Sequence, residues 1–156
     1  MENMGYRALD IAREIVAVSA EYGDLITNLK LQKLLYYTNA WYMALHKKSL
    51  FEEDFQAWIH GPVVPSVYRY FKDCMSRPII AEKRSASLDP EVSSHILDIL
   101  SEFGGYSALQ LEIMTHREDP WRDARGTLPP DQSSTNTISK SSIYKYYSGL
   151  ANVQEA

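Results

Sequence analysis

Apolar residues recur every three or four positions along much of the chain, a spacing that predicts helices rather than strands. The first such stretch is residues 6–22, in which Leu9, Ala12 and Ile15 fall on one side. Gly23 follows, and glycine is common just after the last residue of a helix. The pattern therefore predicts an amphipathic helix near the start of the chain.

The longest predicted helix is NLKLQKLLYYTNAWYMALHK, residues 28–47. Thr27 precedes it as an N-cap, and Ile26 and Leu31 have the spacing of a hydrophobic staple. In the second half of this segment, apolar and aromatic residues occur on nearly every side. A helix with this pattern is surrounded by other elements, so we expect it at the centre of the fold.

The other predicted elements alternate with turn residues. They are a strand at 54–61, a short helix at 66–74 behind Pro65, a partner strand at 77–83, helices at 90–103 and 108–116, and a last helix from Ser139 to about Gly149. Asp89 and Ser139 are predicted N-caps, and Ser107 with Gln110 fits a capping box. Residues 122–137, rich in Pro, Ser and Thr, are predicted to be an exposed loop.

These elements predict a mainly α (α+β) fold. We expect a single compact helical domain over residues 1–156, with about six helices around the central buried helix and a small antiparallel β-hairpin. Its core spans about residues 6–148, and residues 150–156 are predicted to be a frayed tail.

Composition and charge narrow the class of partner. The hydrophobic and charged fractions, 45% and 23%, are typical of a globular protein, whereas the aromatic fraction of 12% is high. A net charge of −4 without a basic stripe disfavours nucleic acid as a partner. The single cysteine, Cys74, excludes an internal disulfide and is typical of a reducing cytoplasm. Because no secretion signal and no apolar run of ~20 residues occurs, we expect a cytoplasmic protein without a membrane partner.

Residue types that could carry catalysis form no recognised pattern. No two of the four histidines have the i, i+4 spacing of a helical zinc site, so no metal site is predicted. Cys74 lies at the end of a short predicted helix, whereas activated thiols favour helix N-termini, so we interpret it as a small buried residue. Neither a G-x-S-x-G turn nor a glycine-rich phosphate loop is present. We therefore predict that the protein is not an enzyme.

The segment WIHGPVVPSVYRYF, residues 58–71, contains a glycine and two prolines between two aromatic clusters. Gly61 permits backbone angles closed to other residues, and Pro62 restricts the chain on both of its sides. This stiff corner is compatible with two interpretations. Either it presents Val63 and Val64 as rigid exposed contacts for a partner, or it only turns the chain and buries both valines.

A second segment, THREDPW at residues 115–121, places groups of both charges at a predicted helix end. One interpretation pairs His116 with His60 as acid and base. The simpler interpretation, which we favour, is structural. Cations at a helix C-terminus complement its dipole, Pro120 stops the helix, and Trp121 is a buried anchor.

Four segments in this order resemble the Panacea domain of SocA-like antitoxins, formerly grouped as phage-associated proteins. They are ITNLKLQKLLYYTNAWYMAL at 26–45, AWIHGPVVPSVY at 57–68, THREDPW at 115–121 and ISKSSIYKYYS at 138–148. The resemblance covers about residues 6–148. The 122–137 loop departs from the usual pattern in its length and in Pro129–Pro130.

The resemblance implies an antitoxin of a bacterial or phage-borne toxin–antitoxin pair, with no cofactor and no established catalysis. The expected partner is a cognate toxin protein, encoded by a neighbouring gene and neutralised by direct binding. An alternative that the family also implies is an adaptor that delivers the toxin to an energy-dependent protease; the 122–137 loop or the C-terminal tail would then supply a second surface. A less favoured hypothesis is a small hydrolase that uses His60 and His116.

The residues that bind a partner are predicted from chemistry, because rigid aromatic anchors with a polar rim make good contact surfaces. The candidates in the two motifs are Trp58, His60, Val63, Tyr68, Arg69, His116, Arg117 and Trp121. No catalytic and no metal-binding residue is predicted.

Overall fold

The central helix, α2, spans Asn28–His46, and all ten residues from 31 to 40 are buried. Its N-cap is the predicted one, since Thr27 Oγ1 accepts a hydrogen bond of 3.2 Å from the backbone N–H of Lys30. The prediction of a buried central helix is confirmed. The computed structural model describes residues 1–82 and 87–155, with side chains as far as residue 152.

Helices dominate the described part of the chain, which confirms the mainly α prediction. Besides α2 they are Ala8–Glu21 (α1), Pro65–Phe71 (α3), Pro90–Phe103 (α4), Ala108–His116 (α5), Asp119–Arg125 (α6) and Lys140–Glu155 (α7), with a 3₁₀ turn at Lys72–Cys74. The Ser107–Gln110 capping box at the start of α5 is present in full. The side chain of Asp89 makes no capping hydrogen bond to α4, contrary to the prediction.

Two small sheets pack against the helices. The strands are Asn3–Tyr6 (β1), Ser49–Phe51 (β2), Phe55–Trp58 (β3), Gly61–Val63 (β4) and Thr137–Ile138 (β5). β1 pairs with β2 in parallel, and β3 lies between β4 and β5 in an antiparallel sheet. The antiparallel hairpin is therefore confirmed, but its second strand is not the predicted one.

The prediction of a partner strand at 77–83 is wrong for residues 77–82, which form no strand, and Lys83 lies outside the described residues. The second strand of the hairpin is instead β4, which follows β3 directly after a two-residue turn. The proline in β4 is tolerated because β4 is an edge strand, where one side of the backbone needs no partner. Ile79 is buried, and its N–H donates to the carbonyl of Ile26 at 2.8 Å.

The 122–137 loop is shorter than predicted, because α6 continues to Arg125 and β5 begins at Thr137. Pro120 lies in the first turn of α6, where a missing N–H costs nothing, so it opens a helix instead of only ending one. Residues 126–136 form the loop that is left, and side-chain bonds from Arg125 hold two of its carbonyls.

The last helix is longer than predicted. α7 begins where expected, with Ser139 Oγ accepting from the N–H of Ser142 at 3.1 Å, but it continues to Glu155 instead of ending near Gly149. The predicted helix end near Gly149 is thus wrong, and Ala156 lies outside the described residues. The reason is that the buried face of α7 extends past Gly149 to Ala151.

A partly buried carboxylate joins three helical segments. Oε1 of Glu118, between α5 and α6, accepts hydrogen bonds from Tyr37 of α2 at 2.9 Å and from Tyr147 of α7 at 2.8 Å. The Tyr147 ring meets Tyr36 and Tyr37 edge-on, at centroid distances of 6.0 and 6.2 Å. Burial raises the pKa of Glu118 to about 7, although the hydrogen bond from Tyr147 and that from Tyr37 oppose the shift.

Candidate functional site around the hairpin turn

The turn between β3 and β4 is tight, because Trp58 pairs with Gly61 and only two residues lie between them. Gly61 has φ +117°, in the region that favours glycine. A Cβ at this position would lie 3.1 Å from Oγ1 of Thr115 and 3.2 Å from Cε of Lys33. Glycine therefore allows the hairpin to pack directly on α2 and α5.

The two valines after the turn are buried, with Val63 only 3% exposed. The backbone N–H of Val64 donates to Gln32 Oε1 of α2 at 3.1 Å, which fixes the corner to the central helix. This confirms the interpretation of a corner that turns the chain. Val63 does not offer an exposed contact, and His60 is the exposed residue at the turn.

A lysine that the sequence interpretation missed lies beneath the turn. Lys33 of α2 is fully buried, and its Nζ has no hydrogen-bond partner within the described residues. Burial lowers its pKa to about 7, and the negative charge of Glu112 opposes the shift. Lys33 is three and four positions before Tyr36 and Tyr37, which places it on their side of the helix, but this spacing alone does not indicate that the lysine is enclosed.

The turn is linked to α5 by a hydrogen bond at the surface. His60 Nδ1 lies 2.9 Å from Oε1 of Glu112. Because Glu112 also acts on Lys33, one carboxylate lies near a surface imidazole and a buried amine. The exposed turn therefore has a polar edge that is hydrogen-bonded to α5.

Four of the predicted partner-binding residues line one apolar groove of about 270 Å³. They are Trp58, His60, Val63 and Tyr68. The rings of Trp58 and Tyr68 meet edge-on at 5.0 Å, and Trp58 Nε1 donates to Gln56 Oε1 at 2.8 Å. The groove also includes Met75 and three residues of α2, Asn28, Leu29 and Gln32, none of which was among the predicted partner-binding residues.

The second motif, THREDPW at residues 115–121, contacts the hairpin through Trp121. Trp121 is only 4% exposed, and its Nε1 donates to the carbonyl of Trp58 at 2.8 Å. Its interpretation as a buried anchor is therefore confirmed, and its side chain is not available to a partner. The His116 ring stacks on Trp121 at 3.9 Å, and burial lowers the pKa of His116.

The remaining predicted residues do not gather at the groove. Arg69 follows Tyr68 on α3 and Arg117 caps the end of α5; both are exposed, and neither lines the groove. His60 lines the groove, whereas His116 lines a different cavity. The single cleft that an acid–base pair of these histidines needs is thus not found among the cavities of the described residues.

Three further features of the described residues bear on the kind of site. No group of three or more His, Cys, Asp or Glu residues is arranged to hold a metal ion. None of the helices described is both long and apolar enough to cross a membrane. Cys74 is partly exposed, so its interpretation as a buried residue is wrong.

Comparisons with known proteins identify relatives of this fold. A family model described as "Antitoxin SocA-like, Panacea domain" matches residues 31–122, from α2 through the hairpin and into α6. The chain is similar to Antitoxin SocA of Caulobacter vibrioides (strain NA1000 / CB15N), with 34% identity over 109 residues. The similar region covers 62% of this chain and 58% of that relative, less than two thirds of its length. No solved structure matches the chain significantly.

Proposed function

The chain belongs to the SocA-like antitoxin family that carries the Panacea domain, and from that premise we propose that it neutralises a toxin protein by binding it directly. The toxin is the product of a neighbouring gene in a bacterial or phage-borne pair, and both proteins act in the cytoplasm. A protein of this kind acts by covering a surface of its partner, so it needs an exposed site that is firm before binding.

The observation that carries the proposal is the groove at the hairpin turn. Trp58, His60 and Tyr68 were selected from sequence motifs, and all three line it. Leu29 and Met75 add exposed apolar surface on its other sides. Aromatic side chains set around a concave apolar surface are typical of the residues that contribute most to protein binding.

The groove is also rigid, which favours tight binding because little order has to be gained. Gly61 packs against α2 and α5, and the corner is bonded to Gln32. Asn28 Nδ2 donates to the carbonyl of Tyr68 at 3.1 Å and so fixes α3 against the same helix. The His60–Glu112 pair at the edge supplies the polar rim that such surfaces usually have.

Two exposed tyrosines on α3 allow a matched test. Tyr68 is 38% exposed and lines the groove, whereas Tyr70 is 47% exposed and bonds to Glu82 outside it. The neighbouring gene is expressed with the wild-type protein or with Tyr68→Ser or Tyr70→Ser, and growth and complex formation are measured. We expect Tyr68→Ser to weaken the complex at least ~10-fold, a loss of ~1.4 kcal/mol or more, and Tyr70→Ser to behave as wild type.

The same cultures separate neutralisation from the adaptor alternative. With occlusion, growth is rescued and the half-life of the toxin is unchanged or longer. A shorter half-life that depends on an energy-dependent protease would favour delivery instead. Growth arrest that is equal with and without this protein would contradict the antitoxin role for that gene pair, and equal rescue by both variants would contradict the groove.

A further inference from the structure

The buried arginine of α6 has no counter-ion in the described part of the chain. Arg125 is only 4% exposed, and it donates to the carbonyls of Ala57 at 3.1 Å, Pro129 at 2.9 Å and Gln132. Its guanidinium also lies 4.6 Å from the ring centre of Trp121. These neutral partners satisfy its N–H groups but leave its positive charge uncompensated in a buried position, which is costly.

A small cavity of about 180 Å³ opens beside this guanidinium. Arg125, Arg122 and His116 line it, and the rest of its wall comes from Trp121 and from residues of the 126–136 loop, with no Asp or Glu among them. The cavity thus presents three cationic or potentially cationic side chains and no acid.

One lining residue, His116, also has an imidazole nitrogen without a partner. His116 Nε2 is buried and forms no hydrogen bond within the described residues. The ring cannot easily turn away, because it is stacked on Trp121, whose own N–H is bonded to the carbonyl of Trp58. A buried polar atom without a protein partner is rare in folded proteins, and it calls for a partner such as water, an ion or a ligand.

The acids of α6 lie elsewhere. Asp119 and Asp123, one helical turn apart, line a separate cavity together with Lys145 of α7. Arg122 and Arg125 line the cavity of His116. The short helix therefore separates its charges, and the carboxylates nearest in sequence do not line the arginine cavity.

We propose that the cavity lined by His116, Arg122 and Arg125 binds an oxyanion, a carboxylate or phosphate group. Such a group would compensate the charge of Arg125, pair with the exposed guanidinium of Arg122 and accept a hydrogen bond from His116. Arginine suits this role because its planar N–H groups match the oxygens of carboxylates and phosphates. The group comes either from a free small anion or from an acidic side chain of the protein partner.

Binding is coupled to a proton on His116. The charged groups that act on this ring are Glu112 of its own helix, Lys33 of α2 and Arg125 of α6. Glu112 favours the charged ring, the two cations disfavour it, and burial holds its pKa below the usual value. A bound oxyanion stabilises the imidazolium, so binding raises the pKa of His116, and affinity increases as the pH falls.

The test uses inorganic phosphate as the probe and the full chain. The His116 ring signals are followed by NMR during phosphate titration at pH 6 and pH 8, with ionic strength held constant by chloride. We expect a saturable shift, a raised pKa of His116, and tighter binding at pH 6. Arg122→Gln should weaken binding at least ~10-fold. Arg117→Gln is the matched control, since Arg117 is exposed beside His116 but does not line the cavity.

The two sources of the oxyanion give different results in a second arm, in which partner binding is measured with and without phosphate. If the partner supplies a carboxylate, phosphate competes with the partner and Arg122→Gln weakens the complex. If a free anion is the ligand, partner binding is unchanged while the NMR result stands. A shift that does not saturate, or that is equal in Arg122→Gln and wild type, overturns the proposal whether or not the chain is an antitoxin.

Discussion

At position 33 the chain places a lysine where its helical neighbours are apolar, and the fold buries it completely. The sequence pattern predicts the face of α2 that carries Leu34 and Leu35, but it does not show which polar residue on so apolar a helix is enclosed. Enclosure depends on Gly61 packing onto the lysine stem, a contact between residues 28 positions apart that no local pattern contains. Buried ionisable groups of this kind therefore have to come from the structure.

Replacing Lys33 with methionine should stabilise the protein at pH 6. The folded-state pKa is lowered to about 7 from 10.5, so the folded chain binds fewer protons than the unfolded chain between these values. The contribution of Lys33 to the free energy of unfolding thus falls as the pH falls through this window and is lowest below pH 7. We expect Lys33→Met to gain about 1–3 kcal/mol at pH 6 and much less at pH 10, measured by urea unfolding.

Lys30→Met is the control for this effect, because Lys30 lies on the same helix but donates to the carbonyl of Gly104 at 2.7 Å and pairs with Asp24. Lys30→Met should not raise the free energy of unfolding at either pH. If the free energy of unfolding of Lys33→Met varied with pH as much as that of wild type over the same range, the buried amine would not be the source of the pH dependence.

At the scale of elements, helices were predicted well and pairings between distant strands were not. The caps at Thr27 and at Ser107 are local bonds between residues three positions apart, so the sequence itself contains them. The second strand of the hairpin was missed because Gly61–Val63 carries a proline and was interpreted only as a corner. The third strand pairs Phe55 with Ile138, across 83 positions, a separation at which no short-range pattern operates.

The candidate site shows the same division. Its aromatic residues were predicted from motifs and four of the eight candidates line one groove, but Leu29 and Met75 come from other segments and were missed. The burial of Val63 was also beyond the motif, since an apolar residue in a stiff corner has the same sequence signal whether it faces solvent or the core.

Replacing Gly61 with alanine should destabilise the hairpin turn by about 2–3 kcal/mol, because a positive φ and two close contacts act together. Gly23→Ala separates the two causes: Gly23 has φ +79°, but nothing lies within 4 Å of an added Cβ. That control should lose only about 1 kcal/mol, from backbone strain alone. Thermal unfolding of both variants measures the difference, and equal losses would show that the contacts with Lys33 and Thr115 are easily relieved.

At the scale of the whole molecule, a hydrogen-bond network centred on Glu118 joins the central helix α2 to the last helix α7. One carboxylate oxygen accepts from tyrosines of α2 and α7, which come from segments 110 positions apart at Tyr37 and Tyr147. A partly buried acid whose hydrogen-bond donors are neutral makes the stability of the assembled helices depend on pH.

Replacing Glu118 with glutamine should remove this pH dependence. The folded-state pKa is raised to about 7 from 4.5, so the contribution of Glu118 to stability falls as the pH rises through this window and is lowest above pH 7. Glutamine keeps Oε1 as the acceptor for both hydroxyls but does not ionise. The advantage of Glu118→Gln over wild type should therefore grow by about 1–3 kcal/mol between pH 4.5 and 7.5, measured by urea unfolding.

Glu102→Gln is the control, since Glu102 is an exposed acid on α4. The advantage of this variant over wild type should change less over this pH range than that of Glu118→Gln. An advantage of Glu118→Gln that did not change with pH would mean that folding does not raise the pKa of Glu118.

Because Tyr147 packs against α2, the fold cannot be completed until the ribosome has synthesised this part of the last helix. Tyr36, Tyr37 and Trp41 are synthesised about a hundred residues before the ring that covers them. Until Tyr147 has left the exit tunnel, the nascent chain presents an uncovered aromatic surface, of the kind that chaperones bind. Messenger RNAs truncated within the α7 coding region should therefore yield chains that cellular proteases degrade. Only chains synthesised through this helix should persist in the cell.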